Sequence, residues 1–274
     1  MPTNDCLPLI ELGIQQSSST ISSINAALRQ FGAFRLVAPQ LTRNVSQRVF
    51  QDVRARGFFR LPIEVKNQAR GYSGFDTELI RGKTAFPKES VYFLRKGVEN
   101  RHPPPAEFQN SVENLHNEWT SLRSQLFATL STILDLTEPL IGTPSLDYEY
   151  LGVNFYDSDR LGRDRVHFSP VHMDGGILTI LVRAADVHDG LEIADLRTTE
   201  KLDSEGIGLD ASFISVPAMS DEVIVFAGTR LQRLLGKSKV RACVHRVCSP
   251  TQISNRCIIK ERLSLAIFCG PPIK

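Results

Sequence analysis

The sequence predicts a mainly β fold with supporting α-helices, and three observations lead to this class. Short apolar runs rich in β-branched residues, typical of buried strands, occur at 177–182 and 223–227. Alternating residues over 240–248 and 261–269 predict two more strands, because successive side chains of a strand point to opposite faces. Apolar residues at helical spacing over 107–136 predict a long helix that packs against a sheet.

The N-terminal part predicts a smaller module of helices and short strands. An extended segment at 7–12 and a strand at 34–37 alternate with two helices, the second of them over 41–56. We expect this module to span residues 1–100. The main β core is expected to span residues 101–274, and the two parts are expected to pack as one unit.

Two histidines and one carboxylate form the most informative pattern in the chain. His172 and Asp174 are two residues apart, so on an extended segment both side chains can reach one metal ion. His245 lies on a separate predicted strand and can supply a third ligand. An isolated His-x-Asp is more often a polar surface pair, but two His and one carboxylate that leave positions open are typical of non-haem Fe(II) sites.

Arg262 and Ser264 form a second pattern, on the last predicted strand. They are two residues apart and therefore point to the same face. A guanidinium fork beside a hydroxyl is well suited to bind a carboxylate. Residue spacing by itself thus implies a metal site beside a carboxylate receptor and says nothing about the substrate.

Taken together, these segments resemble the Fe(II)/2-oxoglutarate-dependent dioxygenases. The resemblance rests on HMDGGILTIL, GLEI at 190–193, DEVIVFAG, VHRV and Arg262-Leu263-Ser264. It is strongest to the branch that contains isopenicillin N synthase and the plant flavonoid and gibberellin dioxygenases, which the Phe-Phe-x-Leu-Pro at 58–62 also fits. The resemblance implies a distorted double-stranded β-helix, or jelly roll, with the metal at one open end and the N-terminal helices against one sheet.

The resemblance also implies an activity and the roles of five residues. His172, Asp174 and His245 would hold Fe(II), Arg262 and Ser264 would bind the distal carboxylate of the co-substrate 2-oxoglutarate, and O2 would be the oxidant. The enzyme would hydroxylate, desaturate or cyclise a small organic molecule and release succinate and CO2. A role in specialised metabolite biosynthesis is expected by analogy.

Four further residues are candidates for ligand binding. Asn154 and Tyr156 share a face of a predicted strand and resemble the family's Asn-x-Tyr, whose Tyr binds the co-substrate carboxylate. A buried aromatic residue with a satisfied hydroxyl would give the same pattern. Tyr72 and Phe75 lie in a glycine-punctuated loop, which would line the substrate site or form a plain turn.

Two alternatives to a 2-oxoglutarate-dependent enzyme stay open at this point. One is an Fe(II) oxidase of the same fold, of the isopenicillin N synthase or aminocyclopropane oxidase type, in which Arg262 and Ser264 bind the substrate's own carboxylate. The other is a binding protein without catalysis, since fold does not imply function. The sequence also departs from typical plant members through two polar insertions, at 197–210 and 250–255.

Composition narrows the range of partners and compartments. The 274 residues carry a formal net charge of only +2, which argues against a dedicated nucleic-acid binder. No signal-peptide pattern and no apolar run near the length of a membrane span is visible, so we expect a soluble cytoplasmic protein that acts on a small molecule. The five cysteines include no Cys-x-x-Cys pair and are expected to be small buried residues and not disulfides.

Overall fold

The structure is a computed structural model of the chain. It describes residues 7–13, 17–39, 41–42, 46–69, 71–80, 84–94, 109–135, 149–161, 165–184, 189–197, 212–249 and 260–270. The insertion at 250–255, most of the insertion at 197–210 and Cys257 lie outside these residues.

The described residues form fourteen strands and six α-helices. The strands are β1 (Leu9–Ile10), β2 (Ala33–Val37), β3 (Tyr72–Ser73), β4 (Leu79–Ile80), β5 (Thr84–Ala85), β6 (Glu89–Leu94), β7 (Glu149–Asp157), β8 (His167–His172), β9 (Leu178–Arg183), β10 (Leu191–Asp195), β11 (Ser212–Ser215), β12 (Glu222–Ala227), β13 (His245–Cys248) and β14 (Glu261–Cys269). The helices are α1 (Ser18–Gln30), α2 (Gln47–Arg56), α3 (Ile63–Lys66), α4 (Gln109–Ile133), α5 (Ser158–Leu161) and α6 (Thr229–Leu235), with a short 3-10 helix at Phe58–Arg60.

Two sheets pack face to face and form the jelly-roll core, which confirms the predicted fold class. The larger sheet has eight strands in the order β1-β2-β12-β9-β14-β7-β6-β3, and the smaller has four in the order β11-β10-β13-β8. One apolar cluster joins them, because Phe168, Leu191 and Val247 of the small sheet contact Leu181 and Phe226 of the large one. A further pair, β4 and β5, stands apart as a two-stranded sheet.

Strict alternation along the central strands decides which side chains enter the space between the sheets. In β14 the odd-numbered residues from Leu263 to Ile267 pack with the helices on the outer face, whereas Arg262, Ser264 and Ala266 point inward. In β9 the same rule sends Thr179 and Leu181 inward. Both faces of these strands are buried. Only every second residue faces the space between the sheets, so polar side chains reach that space only from those positions.

The N-terminal helices cover the outer face of the large sheet. Ile24 and Leu28 of α1, Phe50 of α2 and Trp119 and Leu126 of α4 belong to the same apolar cluster as the outward residues of the sheet. α4 lies within the predicted helix over 107–136. No helix in the described part of the chain is long and apolar enough to cross a membrane.

Two predicted elements differ from the structure. The helix predicted over 41–56 is α-helical only from Gln47; Leu41, Thr42 and Ser46 have π-helical backbone, and the Ser46 hydroxyl donates to the Leu41 carbonyl over 2.6 Å. The strand predicted over 240–248 begins only at His245. Before that residue the backbone N–H groups bond elsewhere, Arg241 to Leu28 of α1 at 3.0 Å and Cys243 to Ala227 of β12 at 2.9 Å.

The cysteine prediction holds for the described residues. Cys243, Cys248 and Cys269 are free thiols and are buried, so they act as small core side chains.

A buried ion pair joins the N-terminal module to the large sheet. The Lys66 ammonium of α3 donates to Glu89 Oε1 of β6 over 2.6 Å, and Arg160 Nη1 lies 3.1 Å from the same oxygen. The Tyr72 hydroxyl also donates to this oxygen. Glu89 is 1 % exposed, so these partners are what keeps its charge inside the protein.

Replacing Lys66 by methionine is expected to lower the free energy of unfolding by about 1.5–3 kcal/mol, because buried Glu89 loses a charge-assisted hydrogen bond and keeps only the more exposed Arg160 as its cation. Chemical denaturation of the purified variant measures this change. The matched control is Arg60→Met, which removes the exposed Arg60–Glu261 pair and is expected to cost less than about 1 kcal/mol. Equal effects of the two substitutions would contradict a structural role for the buried pair.

Candidate active site

The two histidines come together through strand pairing. His172 ends β8, His245 begins β13, and the antiparallel register sets them directly opposite each other. Their ring centroids are 4.2 Å apart. Asp174 follows β8, and its Oδ1 lies 3.7 Å from His172 Nε2. One potential ligand atom from each of the three residues lies within 4.8 Å of the others, so the set can hold one metal ion.

Backbone carbonyls orient both imidazoles. His172 Nδ1 lies 2.8 Å from the Pro170 carbonyl oxygen, and His245 Nδ1 lies 3.3 Å from that of Cys243. A proton on each Nδ1 satisfies these contacts and leaves the Nε2 lone pairs free for a metal. Burial, and then the neighbouring His245, lower the pKa of His172 to about 3. The ring is therefore neutral, as metal binding requires.

Gly228 allows the segment after Asp174 to close against α6. A side chain at Gly228 would place its Cβ 2.0 Å from the Gly176 carbonyl oxygen, so only glycine fits there. The Thr229 N–H donates to the Asp174 carbonyl over 2.8 Å, and the Gly228 N–H donates to that of Ile177 over 2.9 Å. These contacts fix the backbone of Asp174 and hold its carboxylate beside the two histidines.

Arg262 and Ser264 lie together inside the protein, as predicted. Arg262 is 4 % exposed and Ser264 is fully buried. Arg262 Nη1 donates to Ser264 Oγ over 3.2 Å, and Arg262 Nε donates to Asp189 Oδ2 over 2.9 Å. Arg262 Nη2 is buried and has no hydrogen-bond partner among the described residues. A buried guanidinium N–H without an acceptor is costly, so this atom is suited to an incoming anion.

The charge around Arg262 also favours an anion. Asp189 bonds to two arginines, because Arg183 Nη1 donates to its Oδ1 over 2.9 Å. Burial raises the pKa of Asp189, but Arg262 and Arg183 outweigh it and hold that pKa below its ordinary value. Among the described residues in direct contact here, two guanidiniums face one carboxylate, which is an excess of one positive charge. Arg183 Nη1 and Nη2 also donate to the carbonyls of Val216 and Pro217, each at 2.7 Å, so this side chain is held by the protein.

A single cavity of ≈ 200 Å³ joins the metal ligands to the arginine end. All seven residues predicted for the metal and the co-substrate line it: His172, Asp174, His245, Arg262, Ser264, Asn154 and Tyr156. A second cavity of ≈ 350 Å³ shares His172, Asp174, Phe86 and Phe268 with the first and extends to Tyr150. The metal position is therefore reached from two sides.

Asn154 and Tyr156 have different surroundings. The Tyr156 ring packs 4.8 Å from the Arg262 guanidinium, and within the described part of the chain its hydroxyl has no hydrogen bond. Asn154 Oδ1 accepts from Lys88 Nζ and from Ser90 Oγ, each at 2.9 Å. Tyr156 is thus available to a ligand, whereas the Asn154 carbonyl is already committed to the protein.

Tyr72 and Phe75 lie elsewhere. The Tyr72 hydroxyl bonds to Glu89, and its ring packs against Phe58 with centroids 6.1 Å apart. Arg160 stacks on Phe75, 4.5 Å from the ring centroid. Neither residue is among the described side chains that line the two cavities. The contacts found for both are structural, and their predicted substrate role stays a prediction.

Several lining residues escaped the sequence argument. They are Glu78, Phe86, Lys88, Tyr92 and Thr179 of the cavity wall, together with Asp189 and Arg183 behind Arg262. Lys88, next to the apolar strand β6, was the one sequence signal for this polar group, because charged residues are seldom buried without a partner. Asp189 gave none, since a lone aspartate before a glycine is typical of any turn.

Fold and site together define a class of protein: a jelly roll with two His and one Asp at a cavity whose other end carries a buried arginine. Family models support the same conclusion from the sequence. Residues 7–121 match the model described as non-haem dioxygenase in morphine synthesis N-terminal, and residues 149–271 match the 2OG-Fe(II) oxygenase superfamily. The chain belongs to the 2OG-Fe(II) oxygenase superfamily. It is a non-haem dioxygenase that uses Fe(II), 2-oxoglutarate and O2, as predicted.

Solved structures share this fold at low identity. A full-length Neurospora crassa protein in complex with alpha-KG is 20% identical, with a TM-score of 0.74 over 99% of this chain and 87% of that chain. The rice dioxygenase for auxin oxidation is 19% identical, with a TM-score of 0.68 over 97% of this chain and 83% of that chain. The dioxygenase for auxin oxidation 1 of Arabidopsis thaliana, solved with 2-oxoglutarate, is 18% identical, with a TM-score of 0.68 over 97% of this chain and 93% of that chain. A search of curated proteins gives no match.

Proposed function

We propose that His172, Asp174 and His245 hold Fe(II), and that Arg262 and Ser264 bind the distal carboxylate of 2-oxoglutarate. The observation that carries this proposal is that Arg262 Nη2 has no hydrogen-bond partner within the described part of the chain, and that Arg262 lines the same cavity as the three metal ligands. The excess of positive charge near Arg262 matches a carboxylate. The free Tyr156 hydroxyl can donate a further hydrogen bond to it.

Iron with its co-substrate supplies the oxidising chemistry, and the protein supplies binding, orientation and a dry site. Phe226 stacks on the His245 ring with centroids 4.5 Å apart, and Phe86 meets the His172 ring edge-on at 5.1 Å. These aromatic side chains pack on the two imidazole rings and give them an apolar surrounding. Ser264 and Asp189 hold the Arg262 fork in one orientation, so 2-oxoglutarate would meet a receptor that needs no rearrangement.

The substrate is proposed to be a small organic molecule that enters through the ≈ 350 Å³ cavity beside His172 and Asp174. The Neurospora crassa protein was solved with thymine and with 5-formyluracil, and the rice protein is named for auxin oxidation, so proteins of this fold accept small ring compounds. Hydroxylation is the simplest outcome, with desaturation and ring closure as variants. We also propose that the enzyme acts in specialised metabolism and is located in the cytoplasm. Its membership of the isopenicillin N synthase branch and a boundary between the two modules near residue 100 are proposed as well.

The two other hypotheses receive less support. Membership of the superfamily and the complete set of metal ligands argue against a binding protein without catalysis. An oxidase that needs no 2-oxoglutarate would have to fill the Arg262 site with the carboxylate of its own substrate. Release of succinate distinguishes it from the proposed enzyme.

The experiment that tests the proposal begins without oxygen. Apo protein is mixed with Fe(II) and then 2-oxoglutarate, and the visible charge-transfer band of the chelated complex is recorded. We expect a band that saturates at one 2-oxoglutarate per protein, followed by succinate release when O2 is admitted. Bound iron with no band would overturn 2-oxoglutarate as co-substrate, and no bound iron would overturn the metal site.

A further inference from the structure

A second polar group lies in the wall of the metal cavity and belongs to none of the roles above. Lys88, which is 6 % exposed, directs its ammonium at four oxygens. These are Glu78 Oε2 at 2.8 Å, Ser90 Oγ at 2.6 Å, Tyr92 Oη at 2.9 Å and Asn154 Oδ1 at 2.9 Å. An ammonium has three N–H donors, so Lys88 is fully satisfied by the protein and has no donor left for a ligand.

The chain makes specific room for this group. A side chain at Gly152 would place its Cβ 2.7 Å from the Tyr92 ring, so glycine in the middle of β7 lets that ring lie against the strand. Tyr92 then packs near Phe268, with centroids 6.5 Å apart, and its hydroxyl donates to Glu78 Oε2 over 2.9 Å. Burial, and then the nearby Glu78 charge, raise the pKa of Tyr92 well above its ordinary value, which keeps the hydroxyl protonated as a donor.

Glu78 is the incomplete member of the group. Its Oε2 accepts from Lys88 and Tyr92, whereas its Oε1 is buried and has no hydrogen-bond partner among the described residues. A carboxylate oxygen only accepts hydrogen bonds, and leaving it buried without a donor is costly. The missing donor is therefore expected from a molecule bound in the cavity that Glu78 lines.

The charges limit what that molecule can be. The Lys88 ammonium lies 2.8 Å from Glu78 Oε2 and already balances its charge. A cation at Oε1 would lie close to this ammonium, and an anion would meet the Glu78 carboxylate at close range. The rings of Phe86, Tyr92 and Phe268 line the cavity and favour a flat partner that can pack on them.

We infer that Glu78 Oε1 is a recognition point for the substrate, and that the substrate is an uncharged, planar ring compound that presents an N–H or O–H donor to it. This inference rests on the proposed function, because the cavity proposed for the substrate shares Phe86 and Phe268 with the cavity that Glu78 lines. Lys88 and Tyr92 act as positioning residues, since they hold the Glu78 carboxylate with one oxygen turned toward the ligand.

The test compares ring compounds that differ only in a donor. The probes are uracil with 1,3-dimethyluracil, indole with 1-methylindole and phenol with anisole, and benzoate and benzylamine serve as charged probes. Anaerobic calorimetry measures their binding to the Fe(II)–2-oxoglutarate protein. In at least one pair we expect the donor-bearing member to bind about tenfold or more tightly than its methylated partner, since a hydrogen bond to a charged group contributes that much. The indole and uracil pairs report an N–H donor and the phenol pair an O–H donor.

The Glu78→Gln variant decides whether Glu78 is responsible. It keeps the side-chain shape, and we expect the donor preference to fall at least about threefold, because the hydrogen bond loses its charge assistance. Glu64→Gln is the matched control, since Glu64 is an exposed carboxylate of the same N-terminal part, and it should leave the preference unchanged. The 2-oxoglutarate charge-transfer band and the thermal unfolding midpoint check that Glu78→Gln folds and loads normally.

The outcomes separate this inference from the proposed function. Failure of the band in wild type would count against the 2-oxoglutarate site, whereas calorimetry reads the probes independently of the band. The inference is overturned if no donor-bearing probe binds, if charged or methylated probes bind best, or if Glu78→Gln and wild type show the same donor preference.

Discussion

Replacing Asp174 by alanine is expected to weaken Fe(II) binding at least about 100-fold and to remove detectable succinate formation. Loss of an outer partner of a metal ligand already costs about 10–100-fold in affinity or activity, so loss of a ligand should cost at least as much. Asp174 is the only anionic ligand among the three, and without it two neutral imidazoles would have to hold a divalent cation. Anaerobic iron titration and a succinate assay measure the two effects.

The design of this experiment separates metal binding from folding. Asp174→Asn keeps the shape of the side chain and removes its charge, so it should fold normally and still bind iron poorly. Asp159→Ala removes an exposed carboxylate of α5 and is expected to leave iron binding unchanged. A full complement of iron in Asp174→Ala would remove Asp174 from the site, whatever happened to turnover.

Replacing Arg262 by methionine is expected to raise the 2-oxoglutarate concentration for half-maximal turnover by about 10- to 100-fold, since hydrogen bonds to a charged group contribute about 1.5–3 kcal/mol. Truncating one partner of a buried ion pair usually leaves an uncompensated charge. Here Asp189 keeps its 2.9 Å bond to Arg183, so the variant retains a balanced pair and should fold. If Arg262 served only the ion pair with Asp189, its loss would change stability and leave the 2-oxoglutarate requirement unchanged. If Arg262 binds the co-substrate, its loss raises that requirement in a folded protein.

Two comparison variants sharpen this result. Arg262→Lys keeps the positive charge but loses the planar fork, so an intermediate 2-oxoglutarate requirement is expected. Arg233→Met removes an exposed arginine of α6 and should change nothing. If Arg262→Met unfolds the protein while its 2-oxoglutarate requirement in the remaining folded fraction is normal, the receptor assignment is wrong.

Local periodicity in the sequence was enough to predict most of the central strands and the long helix. Alternation along β9 and β14 is a property of any strand, so the sequence could say that Arg262 and Ser264 share a face. His172 ends β8 and Asp174 lies just beyond it, so the two side chains are brought together by their nearness in the chain and by the backbone contact of Asp174 with Thr229. Where the backbone bonded to distant partners, as at Arg241 and Cys243, alternation misled and the predicted strand was too long.

The assembly of the site depended on pairings that no local pattern contains. The register of β8 and β13 sets His245 opposite His172, and the sheet order brings β6 beside β7, so that Lys88 meets Asn154. The same packing turns Tyr72 toward Glu89. The residues proposed for the site could be predicted from the sequence because the members of each pair are only two positions apart in the chain. The charges around them were decided only by the tertiary structure, because they depend on which distant side chains are buried together.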